Sequence, residues 1–164
     1  MSPSPDQITD TPIIPDWQEV RTALARALEE RILILDGAMG TMIQRLGLTE
    51  ENFQGERFKD WSHPLKGNND LLVLTEPRMI EDIHLEYYLA GADIVETNTF
   101  SATSVAQADY ACEEAVYDIN YHGVLCARRA ALRAEAQDGR RRFVAGALGP
   151  TNKTSSMSTD VNSP

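Results

Sequence analysis

The sequence holds no uninterrupted aliphatic run longer than four residues, and that shortage excludes a membrane-spanning helix, which needs about 20 apolar residues. Cysteine is equally scarce. Cys112 and Cys126 are the only two in 164 residues, and their wide spacing within sequence of helical character is neither a zinc pattern nor a redox motif. Two reduced, packed thiols are expected. Positive charge is also in short supply: 15 Lys and Arg against 25 Asp and Glu give a formal net charge of −10. That balance argues against general affinity for nucleic-acid phosphates or anionic lipid. The start of the chain lacks a basic segment followed by an apolar stretch, so no export signal is legible and a cytoplasmic protein is expected. Residues 1–16 carry four of the eight prolines and read as a disordered lead-in.

What is present is an ordinary globular composition, 42% hydrophobic and 24% charged, enough for one modest core. Its most informative stretch is Arg31-Ile-Leu-Ile-Leu-Asp-Gly-Ala-Met-Gly-Thr41. Ile32 to Leu35 is too short for a helix and has no polar alternation, so it predicts a strand covered on both faces, as in a parallel sheet. Asp36 then falls at the strand's carboxyl end, where ligands bind in parallel α/β folds. The segment Gly91-Ala-Asp-Ile-Val-Glu-Thr-Asn-Thr-Phe100 repeats the arrangement, and the two strand ends together predict one shared pocket.

The rest of the chain alternates. Trp17, Val20, Leu24 and Leu28 sit at helical spacing and predict an amphipathic helix capping the bottom of the first strand. A short helix begins near Thr41. Thr49 to Asn69 is long and polar, and is expected to be a functional or disordered loop. An apolar stretch, Asp70 to Leu74, ends at Thr75, a possible cap for a helix with Pro77 in its first turn. Ile80, Ile83 and Tyr87 mark that helix's buried stripe, and Gly91 stops it. After the strand at 93–98, a helix over roughly 113–136 turns its small residues to the sheet, and 143–148 is a third strand. The arginines Arg128, Arg129, Arg133 and Arg140 to Arg142 are expected to complement a helix C-terminus.

Strand, helix, strand, helix, strand means right-handed crossovers and a parallel sheet. Gly37 and Gly40 give Gly-x-x-Gly, which is neither the dinucleotide nor the P-loop pattern. A complete barrel needs roughly 250 residues. The fold class expected is therefore α/β, the first part of a (β/α)8 TIM-type barrel truncated after about three strands, over residues 17–164.

Asp36-Gly-Ala-Met-Gly-Thr41, Gly55-Glu-Arg-Phe58, Lys66-Gly-Asn-Asn-Asp-Leu-Leu-Val-Leu74, the 91–100 segment and Gly149-Pro-Thr-Asn152 resemble the homocysteine S-methyltransferase family. Within it, the segments 66–74 and 149–164 are closer to the homocysteine-binding domain of cobalamin-dependent methionine synthases. The resemblance implies methionine biosynthesis: homocysteine held beside zinc as a thiolate, methylated by methylcobalamin, which methyltetrahydrofolate recharges on other modules. The family's three zinc-binding cysteines match no position here. The chain alone is thus expected to bind neither zinc nor cobalamin and to be inactive. By the same resemblance, Asp36 accepts the homocysteine ammonium, and the backbone amides of Gly37 and Thr97 hold its carboxylate.

From the residues alone, Asp36 is equally a helix cap or turn former. Glu96 and Asn98 share one side of their strand, opposite Val95 and Thr97, and are weaker candidates for ligand contact. Glu96, flanked by apolar residues, must be paired, solvated or protonated. His63, His84 and His122 have no partners at ligand spacing and are expected to be surface or structural. Three alternatives remain open: a homocysteine methyltransferase with another donor such as betaine, a different barrel enzyme using Asp36 and the Gly37–Thr41 turn on a phosphorylated substrate, and a non-catalytic binding fragment.

Overall fold

A computed structural model describes residues 16–151. The lead-in up to residue 15 and the segment from Asn152 onward, including the end of the Gly149–Asn152 motif, lie outside the described residues. Seven α-helices are described: α1 (Trp17–Glu30), α2 (Met39–Arg45), α3 (Glu50–Gln54), α4 (Leu72–Thr75), α5 (Pro77–Leu89), α6 (Ser104–Gln107) and α7 (Val116–Asp138). The two strands are β1 (Ile94–Glu96) and β2 (Phe143–Ala145). They pair in parallel with Ile94 opposite Phe143 and Glu96 opposite Ala145. The segment before Asp36 lies on the other side of β1, also parallel, through a single bridge between Leu35 and Ile94. Its hydrogen bonds run from Asp36 N–H to Ile94 O (2.9 Å) and from Asp93 N–H to Ile34 O (2.8 Å). The result is a mixed, helix-rich α/β unit with a small parallel sheet.

The long helices form where the apolar spacing predicts them. Ile80 and Ile83 on α5 are buried, Pro77 occupies the first turn where a missing N–H costs nothing, and Gly91 follows the helix with φ +114°. On α7, Ala127, Ala130, Ala131 and Ala134 are fully buried against Val95 and Tyr88, because alanine lets helix and sheet approach closely. A larger cluster gathers Phe53, Phe58, Leu65, Leu72, Ile80 and Ile119.

Several expectations are corrected. The segment 32–35 is not covered on both faces: Ile32 is 84% exposed, and Ile34 and Leu35 are about half exposed. No side chain of α1 is buried, so the helix does not cap that strand. Apolarity on both faces records what a strand is suited to, and here the described residues cover Leu33 in part and leave Ile32 open. The segment 49–69 is an ordered part of the core. The Glu50 carboxylate accepts the N–H groups of Leu65 (2.5 Å) and Lys66 (2.8 Å), while Phe53, Phe58 and Leu65 are buried. Thr75 does not cap α5; Glu76 occupies that position, and the buried Thr75 hydroxyl has no partner among the described residues. Cys112 precedes a 3-10 turn instead of lying in helix.

The late arginines answer particular carboxylates. Arg133 reaches Glu81 and Asp82 (2.8 Å each), Arg141 reaches Glu19 (3.0 Å), and the buried Arg142 pairs with Asp138 and donates to Ala92 O (2.9 Å). Arg140 joins Arg31 on the buried Asp93 (3.0 and 2.5 Å). Asp93 also accepts the Ile34 N–H at 2.9 Å, so one carboxylate fastens the entry of β1 to the first strand segment.

Candidate functional site

A cavity of about 590 Å³ opens at the carboxyl ends of the strand segments, where the sequence places its shared pocket. Asp36, Gly37, Glu96, Thr97 and Asn98 all line it, so every expected site residue is brought to one place. The parallel register explains this. Asp36 follows the residue bridged to Ile94, so its carboxylate meets the last residue of β1 and both oxygens accept the Glu96 N–H at 3.2 Å. Burial pushes its carboxyl up to about 6; the Glu96 N–H opposes that shift, and the Glu96 charge adds to it. Asp36 is thus neither the cap of α2, a position held by Ala38, nor a simple turn former.

The other candidates play distinct parts. Glu96 is exposed, so solvent meets the demand that its charge raises. Asn98 is buried and its amide donates to Asn69 O at 2.8 Å. The Thr97 N–H donates to Ala145 O (2.9 Å), which occupies in the sheet the donor that the resemblance assigns to a substrate carboxylate. The Thr97 hydroxyl is likewise engaged, with Thr99 Oγ1 at 2.7 Å and the Ala147 N–H at 3.0 Å. Gly37 is exposed at the rim, and its N–H has no hydrogen-bond partner among the described residues.

Sequence reasoning missed a second carboxylate. Asp70 is 6% exposed, accepts the Ser101 N–H at 2.5 Å, and is pushed up to about 6 by burial. Its neighbour Asn68 exchanges amide hydrogen bonds with Gln107 (2.7 and 3.1 Å), and Gln107 also donates to Ser101 O (3.2 Å). This amide and carboxylate network holds the 67–71 segment against the loop that leaves β1, forming one wall of the cavity. The available signal was the run of polar residues at 68–70 placed directly before an apolar stretch.

The chemistry of the possible metal donors does not fit a zinc site. Cys112 and Cys126 are buried, donate to Tyr110 O (3.3 Å) and Pro77 O (3.6 Å), and do not line the cavity. Burial pushes both thiols up, Cys126 to about 12, which disfavours the thiolate that binds zinc. Among the described residues, no group of three His, Cys, Asp or Glu could hold a metal ion. Nor is any helix among them long and apolar enough to cross a membrane.

The same fold occurs in proteins of known structure. The homocysteine methyltransferase MmuM from Escherichia coli, in its metallated form, superposes with a TM-score of 0.61 at 26% identity, over 77% of this chain and 41% of that one. Its oxidised form gives 0.60 at 28% identity, over 75% and 39%. The chain therefore spans about two fifths of the length of these neighbours. The model of the homocysteine S-methyltransferase family matches residues 33–163, and this chain belongs to that family.

Proposed function

We propose that this chain forms the part of a homocysteine methyltransferase that holds the amino-acid end of homocysteine. The observation that carries the reading is Asp36: a partly buried carboxylate at a strand end, backed by one N–H and open to the cavity. An ammonium is the natural partner for such a group, because a charge-assisted hydrogen bond gains most where water is scarce. The exposed Gly37 N–H is the donor suited to the carboxylate of the same ligand. Since the Thr97 amide already serves the sheet, Thr97 acts by fixing the strand end beside the ligand.

The whole reaction in this reading makes methionine from homocysteine, with methylcobalamin as donor and methyltetrahydrofolate as the source that recharges it. Support for this branch lies in the likeness of segments 66–74 and 149–164 to the cobalamin-dependent enzymes. The fold reading is the opening part of a TIM-type barrel, supported by three parallel segments in sequential order and by the fraction of the neighbours' length that is matched. The described residues bind and orient the substrate's polar end. They offer its thiol no group of three metal ligands, and the chain by itself is expected to show no methyl transfer. A cytoplasmic setting belongs to the same reading, supported by two unpaired buried thiols.

Calorimetric titration with homocysteine tests the proposal. Asp36→Asn keeps the shape and one acceptor but removes the charge, and is expected to weaken binding on the order of a hundredfold, about 2.7 kcal/mol. The far-ultraviolet circular dichroism should be unchanged. Wild-type affinity in the variant would return Asp36 to a purely structural role at the end of β1.

A further inference from the structure

The turn after Asp36 is held by a side chain from a helix some fifty residues away. Tyr87, near the end of α5, donates its hydroxyl to Ala38 O at 3.2 Å. Its ring lies so close to Gly37 that a Cβ on that glycine would meet Tyr87 Cε1 and Oη at 3.2 Å. Gly37 is not among the residues with positive φ, so its missing side chain serves this close approach and not an unusual backbone conformation. Tyr87 has little freedom to yield. It packs against both core clusters, and its own carbonyl accepts the Ala92 N–H at 3.0 Å, which ties the end of α5 to the approach of β1.

Two contacts from one anchored ring therefore fix two successive residues of the turn. One restrains the carbonyl of Ala38, and the other limits how far Gly37 can move toward the helix. The peptide left between Asp36 and Ala38 presents the Gly37 N–H at the cavity rim, where that donor has no partner among the described residues. A donor held in place before the ligand arrives costs less to order on binding than one on a free loop.

We infer that Tyr87 is the positioning residue that holds the Gly37–Ala38 turn and so aims the Gly37 N–H at the ligand carboxylate. The inference rests on the proposed homocysteine reading, and it assigns Tyr87 to the carboxylate alone. The ammonium is served by Asp36, which the Glu96 N–H fixes independently of α5.

That division sets the test. The wild-type chain, Tyr87→Phe and Asp36→Asn are titrated with homocysteine and with 3-aminopropane-1-thiol, which is homocysteine without its carboxylate. Tyr87→Phe keeps the ring and loses only the hydroxyl. It is expected to weaken homocysteine about tenfold while leaving aminothiol binding unchanged, and to lower the thermal midpoint by no more than the few degrees that one hydrogen bond is worth. Asp36→Asn should weaken both ligands. Wild-type homocysteine affinity in Tyr87→Phe, or equal loss of both ligands, would overturn the positioning role, and neither result touches Asp36. If the wild-type chain binds neither ligand, the homocysteine reading falls, and the NMR backbone order parameters of Gly37 and Ala38 in the free protein decide the rest. Tyr87→Phe should lower both toward the values of a free loop, and values equal to the parent's would remove Tyr87 from the turn.

Discussion

The carboxylate of Asp36 receives the backbone N–H of Glu96 on both oxygens at 3.2 Å, across the parallel pairing of two segments sixty residues apart in sequence. One donor shared between two oxygens satisfies neither fully. The carboxylate keeps acceptor capacity toward the cavity, and burial leaves its carboxyl near 6.

That value fixes the pH dependence of ligand binding. An ammonium ligand needs Asp36 ionised, so homocysteine affinity should be flat above about pH 7 and fall near tenfold between pH 7 and pH 5 as the carboxylate takes up its proton. The ligand's own amine stays protonated over this range. Calorimetry at several pH values would show the break near 6; a flat profile from pH 7 to 5 would mean that Asp36 does not meet the ammonium.

Asp93 is the buried junction of Arg31, Arg140 and the Ile34 N–H. Its hydrogen bond from Arg31 is the largest cause holding its carboxyl at about 2, with further help from the Ile34 N–H and Arg140. A depressed folded value stabilises the fold above the unfolded value of 3.8, and that contribution is lost as pH falls through about 2. Asp93→Ala leaves two guanidinium groups without their shared partner and frees the first strand segment. Urea unfolding at pH 7 should show a loss of about 3 kcal/mol, with the variant less sensitive to acid below pH 4 than the parent.

How much was legible in the sequence follows from where each feature's cause lies. The helices α5 and α7 could be read because Ile80, Ile83, Ile119 and Cys126 carry the period of one buried face, and because Gly91 and Gly139 stop them locally. Asp36 stood out as an acid ending an apolar run. Its partner did not, since the Glu96 N–H meets it only through the register between two distant segments. The order of 49–69 was hidden for the same reason: Glu50 holds backbone N–H groups fifteen and sixteen residues ahead. The exposure of Ile32 and Ile34 had no local signal at all, because burial is a property of what lies opposite. Asp70 was overlooked as part of an apolar stretch, although its burial and its Ser101 contact make it a wall of the site.

His84 on α5 is fully buried with no hydrogen-bond partner on either ring nitrogen among the described residues, and burial pushes it down to about 4. A base with a lowered folded value stays neutral in the fold while the unfolded chain protonates below 6.5, so its contribution is intact above that pH and is lost as pH falls toward 4. His84→Leu removes this penalty. The stability difference between variant and parent should grow in the variant's favour by roughly 3 kcal/mol from pH 7 to pH 4. Asp36 and Asp70, raised to about 6, gain stability over part of the same range, but they are common to both proteins and cancel in the difference. Parallel curves for the two proteins would mean that His84 has a proton partner in solution.

Ile32, Ile34 and Leu35 lie exposed on a strand segment that, among the described residues, pairs through one edge, and Trp17 and Leu28 on α1 are exposed as well. A strand with apolar faces and an open row of backbone donors and acceptors is a template for association, because another strand can satisfy both at once. The chain is therefore expected to self-associate in solution. Sedimentation velocity over a hundredfold concentration range should show the weight-average coefficient rising with concentration. Ile32→Lys combined with Ile34→Lys places two like charges on that segment without touching the cores around Phe53 and Val95, and should restore a single monomeric boundary. A parent that stays monomeric throughout and melts in one sharp cooperative transition would show that this exposed segment needs no cover, and would count against the barrel reading of the fold.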